Sequence, residues 1–87
     1  MPKIGGDIEQ LAGLKRTFAK EAKTVHTLTT SINAAVGTTW WIGPAADRFK
    51  NEWKNEFAPT LRKLQEALDE ASQHVEKRRA AIEQAGS

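Results

Sequence analysis

The sequence offers few side chains whose type and spacing could bind a metal. His26 and His74 are its two histidines, and Glu70 lies one helical turn before His74. In an antiparallel hairpin centred near residue 40, position 26 lies beside position 54, which is about 30 Å along a helix from His74. Neither histidine has the nearby ligands that zinc requires. We interpret both as solvated helix residues and predict no metal site.

Patterns for nucleophilic catalysis and phosphate binding are also missing. The sequence has no cysteine, glycine-rich phosphate loop or nucleophile elbow. Lys77, Arg78 and Arg79 form a basic run that could contact phosphate, but basic residues near a helix end also complement its dipole. The 13 basic and 11 acidic residues alternate in sign and leave a net charge of only +2. We predict a protein that is not an enzyme, needs no cofactor and has no nucleic-acid partner.

Large aromatic side chains provide the clearest candidate for a binding site. All three tryptophans and two of the three phenylalanines lie between Trp40 and Phe57. The segment Trp41-Ile42-Gly43 precedes Pro44 near the midpoint of the chain, where glycine and proline favour a bend before a helix. Because aromatic residues often anchor interfaces, we predict a recognition surface at this bend. Trp41 could serve packing or recognition equally well, and Trp40 is predicted to be an exposed anchor.

A seven-residue apolar repeat predicts one long helix before the bend. Asp7 is its expected N-cap, with Gln10 at the capping-box position, and Gly37 is the expected residue of positive φ after its end. The predicted helix covers about 8–36 and the loop about 37–43. The repeat consists of Ile4, Leu11, Phe18, Val25 and Ile32.

A second apolar pattern predicts another helix after the bend. Pro44 suits its first position, where the missing N–H would have no partner within the helix. The pattern continues on both sides of Pro59, so we expect a kink there and not a domain boundary. The predicted helix covers about 44–83. Its apolar side includes Phe49, Trp53, Phe57, Leu61, Leu64 and Leu68.

Chain length indicates that this hairpin needs a partner. A domain of this size buries only about 60% of the surface of its unfolded chain, and two helices leave part of each apolar stripe wet. We predict one domain over 1–87, an all-α antiparallel helix-turn-helix hairpin that dimerises into a four-helix bundle. A third helix supplied from a longer chain is the alternative. The expected packing set is Leu11, Phe18, Val25, Leu28, Ile32, Trp53, Phe57, Leu61, Leu64 and Leu68.

The bend resembles the signature of a known family. The run from Trp41 to Phe49, continuing to Trp53, is similar to the W-x-G-x-A-x-x-x-F motif of the WXG family, the early secreted antigen-like proteins of type VII (ESX) secretion. The resemblance covers the whole chain. It implies a recognition motif formed by Trp41, Ile42, Gly43, Ala45 and Phe49, in which Ala45 and Phe49 pack behind the turn. It also implies a hairpin that pairs with itself or a sister protein, is exported folded, and is recognised by the membrane ATPase of the secretion machine.

One part of the family pattern differs in this sequence. The family's second export signal, Y-x-x-x-D/E after the second helix, has its positional counterpart at Arg79-Ala80-Ala81-Ile82-Glu83, and the sequence contains no tyrosine. Two alternatives follow from the resemblance. A sister subunit supplies the signal, or the protein accompanies a larger effector that carries it.

The resulting functional prediction is a substrate, or a co-substrate and chaperone, of a type VII secretion system. The first six residues lack the apolar core of a signal peptide, so we expect leaderless export from the cytoplasm. No apolar run is long enough for stable membrane insertion. An intracellular coiled-coil adaptor or a small nucleic-acid-binding bundle, using Lys77 to Arg79, is the alternative. The sequence does not distinguish a homodimer from a heterodimer.

Overall fold

Two long helical arms fold back on each other in a computed structural model that describes residues 5–86. The arms consist of α1, Ile8–Thr38; α2, Pro44–Glu52; a π-helical turn, Trp53–Phe57; and α3, Ala58–Gly86. α1 packs along α3, and α2 continues into α3 through the π turn. Within the described residues there is no strand, which confirms the predicted all-α hairpin. Ile4, the first residue of the predicted repeat, lies outside this range.

The ends of α1 show which local signals decided its length. At its start, the Asp7 side chain accepts a hydrogen bond from the Gln10 backbone N–H at 2.9 Å, as an N-cap carboxylate should. At its end, the helix continues through Gly37 to Thr38, so the expected positive φ at Gly37 is wrong. Thr39 closes the helix instead, because its backbone N–H and its hydroxyl both donate to the Ala35 carbonyl. The connecting loop is therefore shorter than predicted.

The interruption predicted at Pro59 takes the form of a π-helical turn. The Ala58 N–H donates to the Trp53 carbonyl, one residue further back than in an α-helix. This wider turn absorbs one extra residue just before Pro59, whose ring would crowd a regular α-turn and which has no N–H to donate. As a consequence Ala58, and not Phe57, occupies the next buried position after Trp53.

The hairpin is long and thin. Its extents are 65 × 20 × 14 Å and its radius of gyration is 19.5 Å, whereas a compact domain of this length has a radius of about 12 Å. Buried apolar residues lie along a single line between the arms: Ala22, Val25, Ala46, Trp53 and Ala58. Among residues 5–86, neither arm has a stretch apolar enough to cross a membrane.

Much of the predicted packing set is only partly covered in this single hairpin. Val25 and Trp53 are buried, and Leu11, Phe18, Leu61 and Leu68 are half-buried. Leu28, Ile32, Phe57 and Leu64 are exposed, by 36 to 47% of their surface. These four are exposed in the single hairpin because a layer of two helices has only one inner line. Their burial in a paired bundle stays a prediction.

Candidate functional site

The candidate site is the tip of the hairpin, where the loop after α1 leads into α2. Gly43 has φ 127° and ψ 175°, a region that is essentially restricted to glycine. No atom lies within 4 Å of the position that a Cβ would take, so backbone conformation and not space requires glycine here. Its carbonyl accepts from the Asp47 N–H at 3.0 Å and starts α2, with Pro44 at the first helical position.

Trp41 turns inward from the tip and stacks on the first turns of α2. Its ring centroid lies 5.7 Å from that of Phe49, with the planes tilted by 45°. The Lys50 ammonium donates to the Trp41 carbonyl at 3.3 Å, which ties the loop to α2. Trp41 is still 42% exposed and Phe49 is 39% exposed. The Trp41 ring therefore both packs and remains available for contact.

Trp40 and Ile42 flank Trp41 and point away from the hairpin. Trp40 is 87% exposed and Ile42 is 77% exposed. Trp40 is therefore exposed as predicted, while its role as an anchor stays a prediction, and two large apolar side chains extend from the end of the hairpin. Single exposed apolar residues are ordinary, but neighbouring ones beside an apolar cleft are typical of a contact site.

An apolar cleft of about 250 Å³ opens beside Trp41. It lies between the last turns of α1 and the first turns of α2, and it is large enough for one bulky side chain. Its walls are Ala35, Val36, Thr39, Trp41, Phe49 and Lys50. Lys50 supplies a positive charge at the margin, so the cleft could take an apolar side chain next to an acidic group.

Two residues of this region differ in role from the sequence prediction. Ala45 was expected to pack behind the bend, but it is exposed, and its neighbour Ala46 is the buried alanine, with 1% of its surface accessible. Lys50 was not predicted at all. Helical spacing could have found both, because positions 46, 49, 50 and 53 share one side of a helix that begins at Pro44.

The other candidate residues lie away from the tip and from one another. His26 is on α1 and His74 on α3, both exposed, and within residues 5–86 no group of acidic or histidine side chains could hold a metal ion. In the basic run, Arg79 donates to Glu76 at 2.7 and 2.9 Å and to Glu83 at 2.7 Å. Arg79, one of the three basic side chains, is therefore bonded to carboxylates of its own helix.

The ion pairs around Glu76 join the two arms near their free ends. Lys15 on α1 lies 3.4 Å from the Glu76 carboxylate. The hydrogen bonds from Arg79, helped by the charges of Arg79 and Lys15, lower the pKa of Glu76 to about 2, and the same contacts raise the pKa of Arg79. Both groups stay charged at neutral pH, so the pairs are structural and not a proton switch in that range.

Comparison with known proteins gives one match. The family described as "WXG100: Proteins of 100 residues with WXG" matches residues 4–87. No curated protein and no solved structure matches.

Proposed function

The chain belongs to the WXG100 family, and from this premise we propose that it is a helical partner protein of a type VII secretion system, exported as a substrate or co-substrate. Its action is recognition of other proteins. Pairing of two hairpins supplies the core that one hairpin lacks, and the tip supplies a contact for the secretion machine or its cargo.

The exposed apolar tip is the observation that carries this proposal. Trp40 and Ile42 extend into solvent beside an open cleft, on a turn whose shape depends on the conformation of Gly43. A turn needed only to connect two helices would not require this side-chain arrangement, since a polar loop of the same length would serve. The tip is also fixed to α2 by the Trp41–Phe49 contact, so it is pre-organised for binding.

The segment aligned with the family's second signal supports a role beside a larger effector. Arg79 and Glu83 are ion-paired to each other within α3, and Arg79 also binds Glu76. This segment is therefore an ordered helix whose polar groups already have partners, and it has no aromatic residue. We propose that the protein bearing the signal is an effector that travels with this chain.

Export can be tested in the source cell. Deletion of the secretion ATPase should remove the protein from the culture medium, measured by immunoblot with a cytoplasmic protein as the lysis control. Trp41→Ala should strongly reduce export, while circular dichroism shows that its helix content is retained. Trp41→Phe is the matched control, because it keeps an aromatic ring against Phe49. Unchanged extracellular levels after ATPase deletion would refute the proposal.

A further inference from the structure

The tip of the hairpin carries a projecting side chain and an apolar cleft next to each other. Trp40 is the most exposed large apolar side chain among residues 5–86, with 87% of its surface accessible. Both of its neighbours in sequence, Thr39 and Trp41, belong to the wall of the cleft. We call Trp40 the knob and this cleft the tip cleft. The knob therefore emerges directly from the rim of the cleft.

The tip cleft has the size of one aromatic side chain. Its volume of about 250 Å³ is below the range of about 300 to 1,000 Å³ that is usual for small-molecule sites. A cavity of about 150 Å³ holds a single benzene ring, so the tip cleft is large enough for the two fused rings of an indole. Its apolar walls are Ala35, Val36, Trp41 and Phe49. In size and chemistry the cleft fits a tryptophan side chain.

Both walls of the tip cleft are formed within a single hairpin. On the α1 side, the Thr39 hydroxyl donates to the Ala35 carbonyl at 2.6 Å. On the α2 side, the Trp41 ring lies 5.7 Å from that of Phe49, and the Lys50 ammonium donates to the Trp41 carbonyl at 3.3 Å. An apolar ring can therefore enter the cleft without leaving the Thr39 hydroxyl unpaired, and little ordering of the walls is needed.

The charges beside the tip cleft are of opposite sign. Lys50 lies at its margin, and Asp47 lies one turn earlier on α2, on a neighbouring part of the helix surface. Asp47 is exposed and has no ion pair within residues 5–86. Arg48 precedes Lys50 by two residues and so lies on the opposite side of the helix. The cleft side of the tip thus presents one charge of each sign, and two tips that face each other would not repel.

We propose that two copies of this chain join tip to tip, with Trp40 of each copy in the tip cleft of the other. Such a contact has two-fold symmetry, because the same surface serves both copies and each knob fills the other's cleft. A second copy necessarily carries both features at the matching spacing. The contact uses the ends of the hairpins and not their sides. It goes beyond the proposed function, because it requires no secretion machine.

The area at the tip indicates a weak and reversible joint. An aromatic side chain buries about 150 to 250 Å², and Ile42, which is 77% exposed, adds a smaller apolar area beside the knob. Together they cover less than the about 800 Å² per partner of a standard interface. We therefore expect the tips to be separate at micromolar concentration and to join at about 0.1 to 1 mM.

Small-angle X-ray scattering of the purified full chain tests the joint, because one hairpin is 65 Å long and only 20 Å wide. Between about 0.05 and 2 mM, joining at the tips should raise the maximum dimension toward twice that length, whereas pairing of the arms mainly increases the width. Trp40→Ser removes the knob from an exposed position, so it should weaken the joint about 30-fold and retain the helical signal. Leu14→Ser removes an exposed apolar side chain far from the tip and is the matched control, which should still lengthen.

A pair of complementary variants distinguishes the knob-and-cleft contact from non-specific apolar association. Ala35→Phe fills the tip cleft and keeps the knob, whereas Trp40→Ser keeps the cleft. Neither variant should join its own copies, but a mixture of the two can form one of the two contacts. In an NMR titration, unlabelled Ala35→Phe should shift the amide signals of Val36 and Trp41 in isotope-labelled Trp40→Ser. Unlabelled Trp40→Ser should leave them unchanged.

The outcomes test the inference and the proposed function separately. A maximum dimension that stays near 65 Å up to about 2 mM would overturn the joint, and export that requires the ATPase would still support the secretion role. Lengthening that survives both Trp40→Ser and Ala35→Phe would place the contact elsewhere and overturn the inference. A single chain that sediments with phosphatidylcholine vesicles only when Trp40 is present would assign the tip to a lipid surface and also overturn it. Lengthening that both variants abolish, in a protein exported without the ATPase, would support the inference and refute the proposed function.

Discussion

The hydrogen bond between Trp53 and Asn33 should fix how the two arms align near the tip. It joins residues 20 positions apart in sequence, at 2.5 Å, and the Trp53 side chain is 9% exposed. Trp53→Ala removes a buried aromatic ring and should lower the free energy of unfolding by about 3 to 5 kcal/mol. Trp53→Phe keeps an aromatic ring but deletes the N–H donor. It should lower the free energy of unfolding by about 1 kcal/mol in addition to the loss caused by reduced packing.

A double-mutant cycle isolates this bond from the effects of the separate substitutions. Asn33→Ala also raises helix propensity by about 0.5 kcal/mol, and the cycle cancels that gain. Trp53→Phe combined with Asn33→Ala should show a coupling energy of about 1 kcal/mol. Urea unfolding followed by circular dichroism measures it, at one fixed protomer concentration because pairing would add to stability.

The control cycle combines Trp53→Phe with Gln73→Ala, an exposed α3 residue far from the tip. Those two changes should add within about 0.3 to 0.5 kcal/mol. If the Trp53 and Asn33 changes are equally additive, the hydrogen bond does not stabilise the hairpin. A cost below about 1 kcal/mol for Trp53→Ala would show that Trp53 is not a core residue.

Three further changes test single features of the structure. Gly43→Ala should lower the free energy of unfolding by about 1 to 3 kcal/mol because φ is 127° at this position. Gly37→Ala, inside α1, should raise it by about 0.5 to 1 kcal/mol. Urea unfolding compares the two variants. Glu76 has a pKa of about 2 in the folded chain, below its ordinary 4.5, so its ionised form stabilises the fold. This contribution to stability is present above pH 4.5 and is lost as pH falls toward 2. Acid titration of Glu76→Gln should therefore show a stability deficit that shrinks over that range. Ser72→Ala removes a 3.0 Å bond to an α1 carbonyl and should cost about 0.5 to 1.5 kcal/mol, measured in the same urea assay.

The hairpin itself could be predicted because its signals are local and repeated. The seven-residue spacing through Leu11, Phe18 and Val25 fixes an apolar stripe, and the Asp7 cap and Pro44 mark two helix starts. Such features depend on neighbours in sequence, which a single chain displays directly. The W-x-G bend added the position of the turn.

The errors arose where three-dimensional packing chose between local alternatives. Gly37 is as suited to ending a helix as Thr39. The helix ends at the later position because the N–H and hydroxyl of Thr39 both donate to the Ala35 carbonyl. Pro59 signalled an interruption, but not that it would take the form of a π turn at Trp53–Phe57. Because helical spacing was continued without that extra residue, Phe57 was placed on the same apolar side as Trp53.

The last turns of α1 connect the exposed Ile32 to the wall of the tip cleft. Beyond Thr29, the Asn33–Trp53 hydrogen bond joins α1 to the other arm, whereas Ile32 is 38% exposed and Val36 is half-buried. This stretch is also rich in hydroxyl residues of low helix propensity, and Thr30 and Thr38 bond back to their own helix. Its stability therefore depends on packing as well as on helix propensity.

A partner packed on the exposed Leu28 and Ile32 would add to the contacts of these turns. Ile32 lies one turn after Leu28, so covering both would stabilise the stretch of α1 that leads to the wall of the tip cleft. Packing on one side of the rod would then order Ala35 and Val36 against Trp41 and Phe49 without any direct contact at the tip. Under the proposed function, a paired chain would present a stiffer recognition site than a single one, and export would then favour the assembled state.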